Sequence, residues 1–328
     1  MKKRNLIRSI LVLLTAVIVL GLLSCATKTE SLSYAAITAP STVLVYVAQE
    51  QGLFKDNGLE VRTKEYPTGV ATTEALLKGK VEVAWSAELP FITRAFDQER
   101  ISIITVSSRF SDQYIFGRKD CGIQNTSDLK GKMIGVPGNT ISEFYLGRFL
   151  QLNGLNINEV SLVDVQPPQS MEAISSGGID AVVTWEPYAS HVREKLADAA
   201  VGWSVQSDQL GYGVILARND WIAGHPNTLK LFLKSLAQAE NFISGNDEAA
   251  KAIVQKQVNY NDKEMQVFWS ENQFPLSLDQ SLITAMEDEA RWMISSNLTT
   301  EKQVPNFSDY IYEDALKAVK PDAVNIIK

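Results

Sequence analysis

Two stretches of this chain carry an acid in the same setting. Glu74-Ala75, Gly79, Val81-Glu82 and Glu88 align without gaps to Glu172-Ala173, Gly177, Ile179-Asp180 and Glu186. Each copy reads as a helix, a glycine turn, a strand, and a loop with a Glu near a proline, Pro90 or Pro187. Two carboxyls facing one gap accept hydrogen bonds from an amine or hydroxyl, or act as general acid and base. In Trp185-Glu186-Pro187-Tyr188 an aromatic wall stands beside the second acid, and a Glu at a helix start is favoured by the macrodipole. Arg109, after a β-branched strand, offers charge for a ligand anion, and Tyr212 opens a later strand.

Three helix starts add polar groups: Ser41-Thr42, Ser86-Ala87-Glu88, and Asn139-Thr140. Free N–H groups there suit an anion or a carbonyl oxygen. Thr140 with Glu143 also fits a capping box. The expected ligand set is therefore Ser41, Thr42, Ser86, Glu88, Arg109, Asn139, Thr140, Trp185, Glu186 and Tyr212. Plainer roles compete with it: Thr140 and Glu186 as helix caps, Trp185 as packing, Arg109 as an exposed charge.

Metal and enzyme signatures are missing. His191 and His225 are the only histidines, and there is no His-Glu-x-x-His, Cys pair, Gly-rich phosphate loop or Gly-x-Ser-x-Gly elbow. No cofactor or metal is expected.

The elements that position these residues alternate. Strands are expected at Tyr34–Ala39, Leu59–Tyr66, Val81–Trp85, Ile101–Val106, Lys132–Val136, Val160–Val165, Ile179–Thr184 and Tyr212–Ala217, with helices between them and only helices after Asp220. Such βαβ grammar argues for largely parallel α/β sheets. Ligands bind beyond the carboxyl ends of such strands, so both acidic loops are expected at one cleft.

The N-terminus reads as a targeting segment. Lys2, Lys3, Arg4 and Arg8 precede an apolar run from Ile10 to Leu23, shorter than a membrane span needs. The junction Leu22-Leu23-Ser24-Cys25 resembles the bacterial lipoprotein box, which implies cleavage before Cys25 and its lipidation. Residues 1–24 are then the signal and 25–33 a lipidated tether. Cys121 is left without a partner, so no disulfide framework is expected. Removing the four positive charges before Cys25 takes the formal charge from −7 to −11. An acidic exported chain is a poor nucleic-acid binder.

In Gly52-Leu53-Phe54, Gly58-Leu59-Glu60-Val61, Asp128-Leu129-Lys130-Gly131-Lys132 running into Ile134-Gly135-Val136-Pro137, Gly178-Ile179-Asp180-Ala181, Trp185-Glu186-Pro187-Tyr188 and Arg218-Asn219-Asp220-Trp221, the chain resembles the ABC-importer solute-binding proteins for nitrate, sulfonates, taurine and thiamine-pyrimidine precursors. The resemblance implies a two-lobed periplasmic-binding-protein-like fold of type II, with two sheets and a hinge of two crossing strands. Lobe 1 is then 34–112 with 219–328, and lobe 2 is 113–218. The crossing strands are Tyr114–Lys119 and Tyr212–Arg218. It further implies a monomer, lipid-anchored outside the cytoplasm, that delivers a small organic ligand to an ABC permease and ATPase. A same-fold enzyme of thiamine-pyrimidine or menaquinone biosynthesis, and a surface sensor without a permease, are the alternatives.

Overall fold

β-branched runs and glycine-terminated helices assemble into two mixed sheets in a computed structural model that describes residues 29–37, 42–207 and 209–327. The leader, Cys25 and Ser41 lie outside the described residues. The first sheet holds β1 (Glu30–Ile37), β2 (Leu59–Tyr66), β3 (Val83–Ala87), β4 (Ile101–Phe110), β10 (Gly211–Arg218) and β11 (Asn272–Gln273), in the order β11-β4-β10-β3-β1-β2. The second holds β5 (Gln113–Arg118), β6 (Met133–Val136), β7 (Ser161–Asp164), β8 (Ala181–Trp185) and β9 (Ala200–Ser204), in the order β7-β6-β8-β5-β9.

The helices are α1 (Val43–Glu50), α2 (Leu53–Asp56), α3 (Gly69–Leu77), α4 (Glu88–Phe96), α5 (Ile141–Leu152), α6 (Ser170–Ser175), α7 (Tyr188–Leu196), α8 (Asn219–Gly224), α9 (Pro226–Gly245), α10 (Asp247–Val258), α11 (Asp262–Glu271), α12 (Gln280–Ser295) and α13 (Asp314–Lys317). Among the described residues, none is long and apolar enough to cross a membrane.

Three details differ from the sequence expectation. The sheets are mixed: β1 and β3 are parallel, as are β6, β7 and β8, but β10 runs antiparallel to β3 and β4, and β5 antiparallel to β8 and β9. β10 belongs wholly to the first sheet, so the chain crosses between sheets at 111–112 and again at 205–210, not along Tyr212–Arg218. The first strand begins early. Leu32 is buried, and the Ser33 N–H donates to Glu82 Oε2 over 2.6 Å, so 30–33 are strand and not tether.

β8 (Ala-Val-Val-Thr-Trp) is buried throughout, which explains its nearly unbroken apolar run. α12 is amphipathic. Leu282, Ile283, Met286, Ala290 and Met293 recur at helical spacing on its buried face, and Asp279 caps it by accepting from the Ser281 N–H. One apolar core runs through both sheets, with a smaller cluster around Phe116, Ile174 and Val182 in the second. α5 packs on α12 through Phe144, edge-on to Trp292. Gly147 permits that approach, because a Cβ there would lie 2.4 Å from the Trp292 ring.

Candidate functional site

The two crossings are bolted together. Gln206 accepts from the Gln113 N–H (3.0 Å) and donates through Nε2 to the Phe110 carbonyl (3.0 Å). The Ser111 N–H donates to the Glu271 carbonyl (2.9 Å), which ties the first crossing to the end of α11. Asp112 sits between these ties, 8% exposed.

Beside the crossings lies a cavity, partly open to solvent, walled by both sheets. The first sheet and its helices supply Ile37, Gly69, Trp85, Ala87, Pro90, Phe110, Phe268 and Asn272. The second side supplies Thr140, Ile141 and Trp185, and the crossing supplies Asp112 and Gln113. The walls are mainly apolar, with Trp85, Phe110, Trp185 and Phe268 as their aromatics, and among the described residues no Lys, Arg or His lines them.

The local sequence fixes each wall. Thr72 donates to the Trp85 carbonyl (2.5 Å) and Thr73 to the Ser86 hydroxyl (3.1 Å), which fastens the start of α3 to the end of β3. Gly213 leaves room for Trp85: a Cβ there would sit 2.5 Å from its indole nitrogen and 2.1 Å from Ser108 Oγ. Trp185 faces Gln113 across the antiparallel β5–β8 pair. Asn272 pairs opposite Phe110, so β11 brings it to the corner that Asp112 occupies.

The polar atoms of this corner are acceptors. Asp112 Oδ1 accepts from Gln113 Nε2 (3.0 Å). Asn272 uses Nδ2 on the Phe268 carbonyl (2.9 Å) and leaves Oδ1 buried without a partner. Burial pushes the Asp112 carboxyl up to about 7 against the Gln113 hydrogen bond, and nearby Glu271 and Glu186 add to the rise. Burial also raises Glu271, which accepts from the Tyr114 hydroxyl.

Of the sequence candidates, Thr140 and Trp185 reach this cavity. The Thr140 hydroxyl donates to the Pro137 carbonyl (2.7 Å), and Glu143 reaches back to the Asn139 N–H (2.8 Å), one residue ahead of the expected capping box. Asn139, exposed and at positive φ, lines a separate groove with Glu74 and Arg94. Thr42 is buried at the start of α1 and does not line the cavity. Ser86 is buried and donates to the Gly69 carbonyl (3.3 Å). Arg109 is spent on Asp279 (2.5 Å) and lies over the Tyr212 ring, whose hydroxyl donates to Ser281 (2.9 Å).

Neither expected acid lines the cavity. Glu88 is fully buried, and its Oε1 accepts from the Tyr212 N–H (2.6 Å). Glu186 accepts from the Ser190 N–H (3.0 Å) and pairs with Arg193 (3.4 Å). Trp85, Phe110, Asp112, Gln113, Phe268 and Asn272 carried no motif that sequence reading caught. Cys121 is free, and burial with a hydrogen bond to Asp180 pushes its thiol up. Among the described residues no group of three His, Cys, Asp or Glu is placed to hold a metal.

Residues 39–250 match the family model described as NMT1/THI5 like. The taurine-binding periplasmic protein of Escherichia coli (strain K12) is 29% identical over 201 residues, which is 59% of this chain and 61% of that protein. The solved alkanesulfonate-binding protein SsuA from Xanthomonas axonopodis pv. citri, bound to MOPS, superposes with a TM-score of 0.75 at 16% identity, covering 88% of this chain and 100% of that one. The desulfurization enzyme DSZB superposes at 0.67 and 15% identity, covering 89% and 99%. These structural likenesses show the fold, that of the periplasmic binding proteins. The chain belongs to the NMT1/THI5-like family.

Proposed function

We propose that this member of the NMT1/THI5-like family is an extracytoplasmic solute-binding protein that captures a small organic molecule between its two sheets and delivers it to an ABC permease and ATPase. The observation that carries this reading is the cavity itself. Both sheets and the crossing between them contribute walls, so a ligand there holds the two halves together and shifts an open–closed equilibrium toward the closed form. Aromatic walls with a few convergent polar groups are the usual make-up of a small-molecule site. The matched relatives point to capture rather than catalysis: the taurine-binding protein and SsuA are both named for what they bind. In this reading the monomer is held at the membrane by lipid on Cys25.

A thermal-shift panel of small sulfonates, amines, pyrimidines, nitrate and bicarbonate tests it. A true ligand at 100 times its dissociation constant adds about 2.7 kcal/mol of stability. A panel in which no class raises the melting temperature defeats solute capture, and turnover of a bound compound makes the protein an enzyme.

A further inference from the structure

We propose that the cavity selects an organic cation: a protonated or quaternary amine carried on an apolar body, with its positive end at the Asp112–Asn272 corner and its body between Trp85, Trp185, Phe110 and Phe268. The inference rests on the solute-capture reading above and names the ligand class of that same cavity.

Three independent observations carry it. The first is charge. Asp112 is the only ionisable side chain on the walls among the described residues. Glu186 and Glu271 lie close enough to oppose its ionisation. Arg193, the cation that acts on Glu271, is already engaged by Glu186 and lies 5.3 Å and 5.4 Å from the Tyr114 and Phe116 ring centroids. Arg109 is held by Asp279. A sulfonate entering here meets acid without a countercharge, whereas an ammonium supplies the missing one.

The second is an unmet acceptor. Asn272 is 7% exposed, its amide nitrogen is used on Phe268, and its Oδ1 has no partner. A buried acceptor left unpaired costs free energy, and an N–H donor from a ligand removes that cost. Asp112 and Asn272 share one corner because β11 pairs with β4 at Phe110 and the Ser111 N–H holds the Glu271 carbonyl. The third is the wall itself. Aromatic faces attract a cation most when water is excluded, and the four large aromatics here are all buried. The start of α5 also faces the cavity through Thr140 and Ile141; its N–H groups suit an anion, and the sulfonate arm of the test weighs them against the acid.

The proton on Asp112 then competes with the ligand. The groups facing this carboxyl are Gln113, Glu186, Glu271, Tyr260 and Tyr145, with Arg193 beyond Glu186. Cation affinity is expected to fall as pH drops below about 7, where Asp112 takes up its proton.

A matched series on the full chain tests the class. Benzylamine, benzyltrimethylammonium and benzyl alcohol share a benzyl body and differ in head group, benzenesulfonate carries its anion directly on the same ring, and taurine carries both charges. Titration calorimetry should rank both cations at least about tenfold above the alcohol, with benzenesulfonate weaker still. Asp112→Asn should weaken the cations by about ten- to a hundredfold and leave benzyl alcohol unchanged. Benzenesulfonate or the alcohol binding as tightly as the amines overturns the proposal while leaving solute capture intact, as does taurine binding that ignores Asp112→Asn. If no member of the series or of the wider panel binds, the solute-capture reading fails and takes this one with it. Should Asp112→Asn not fold, the wild-type ranking alone decides.

Discussion

Trp85-Ser86-Ala87-Glu88 and Trp185-Glu186 end two corresponding strands, yet their acids meet opposite fates. Both tryptophans wall the same cavity. Glu186 follows its Trp directly and turns back onto the start of α7, where the Ser190 N–H and Arg193 satisfy it. Glu88 comes three residues after its Trp, as the first residue of α4, and points into the interior. There it holds the Tyr212 N–H with one oxygen, while the other has no partner. Burial raises its pKa against the hydrogen bond from the Tyr212 N–H, and burial together with the nearby Glu88 carboxyl raises that of Glu289. One acid is thus an ion-paired cap and the other a protonated structural group. The repeated sequence pattern carries over to the strand ends but not to the positions of their tryptophans or the environment of the acid.

The contrast breaks most visibly on truncation. Glu88→Ala removes the partner of a buried N–H and opens a cavity, and should cost about 2–4 kcal/mol in urea unfolding. Glu186→Ala loses a cap whose other partner, Arg193, reaches water, and should cost about 1 kcal/mol. Equal losses would mean that the two acids do the same work.

Acidity sharpens it further. The folded pKa of Glu88 is raised to about 8, above the ordinary carboxyl range of the unfolded chain, so the folded state binds the extra proton. Its contribution is fully present below that ordinary range and is lost as pH rises toward 8. Glu88→Gln keeps an uncharged side chain and should flatten the decline in melting temperature between pH 5 and pH 8. Glu186→Gln should change the decline only slightly, through its small effect on Asp112. A wild-type melting temperature that climbs across this window would contradict a protonated Glu88.

The two tryptophans offer a third, smaller test. Both face the cavity, so Trp85→Phe and Trp185→Phe should each remove part of the fluorescence change on ligand addition. Trp185→Phe should also weaken binding, by a few-fold, since a smaller ring gives less stacking area. A full response retained in both variants would place the ligand elsewhere.

The alternation of strands and helices was legible because short apolar strands follow helices that a glycine turn closes, as at Gly79 and Gly177, both at positive φ. Two of the four edge strands, β9 and β11, were not. Ala200–Ser204 is partly exposed and carries no strong alternation, and Asn272–Gln273 is a strand only because it pairs with Phe110 and Arg109. The cavity was half legible for the same reason. Trp185 and Thr140 sit at element ends that sequence marks, whereas Asp112 and Asn272 are far apart in the chain and meet only through the β11–β4 pairing. Phe268 reads as a core position of an amphipathic helix, and nothing in α11 signals that its ring turns to a cavity.

The smallest expected effect is the most discriminating. In the sequence, Glu186 stands beside a cavity tryptophan, and from that alone a ligand-facing carboxylate is the natural inference. In the structure its Oε2 faces the Ser190 N–H and its Oε1 faces Arg193, and the side chain does not line the cavity. Glu186→Gln keeps the oxygen that accepts from Ser190, and the amide replaces a charge whose partner is half exposed. An ion pair open to water on one side contributes about 0–1 kcal/mol, so the melting temperature should move by a few degrees at most. Glu186 does add to the field at Asp112, and removing its charge should lower the Asp112 pKa slightly. Ligand affinity near pH 7 should therefore change by less than about threefold, against the ten- to hundredfold loss expected for a directly bonded carboxylate. Calorimetric titration of Glu186→Gln beside Asp112→Asn makes the comparison in one experiment. A tenfold or greater loss in Glu186→Gln would move the binding acid from the crossing to the end of β8, and the two acidic loops would then be functionally alike after all.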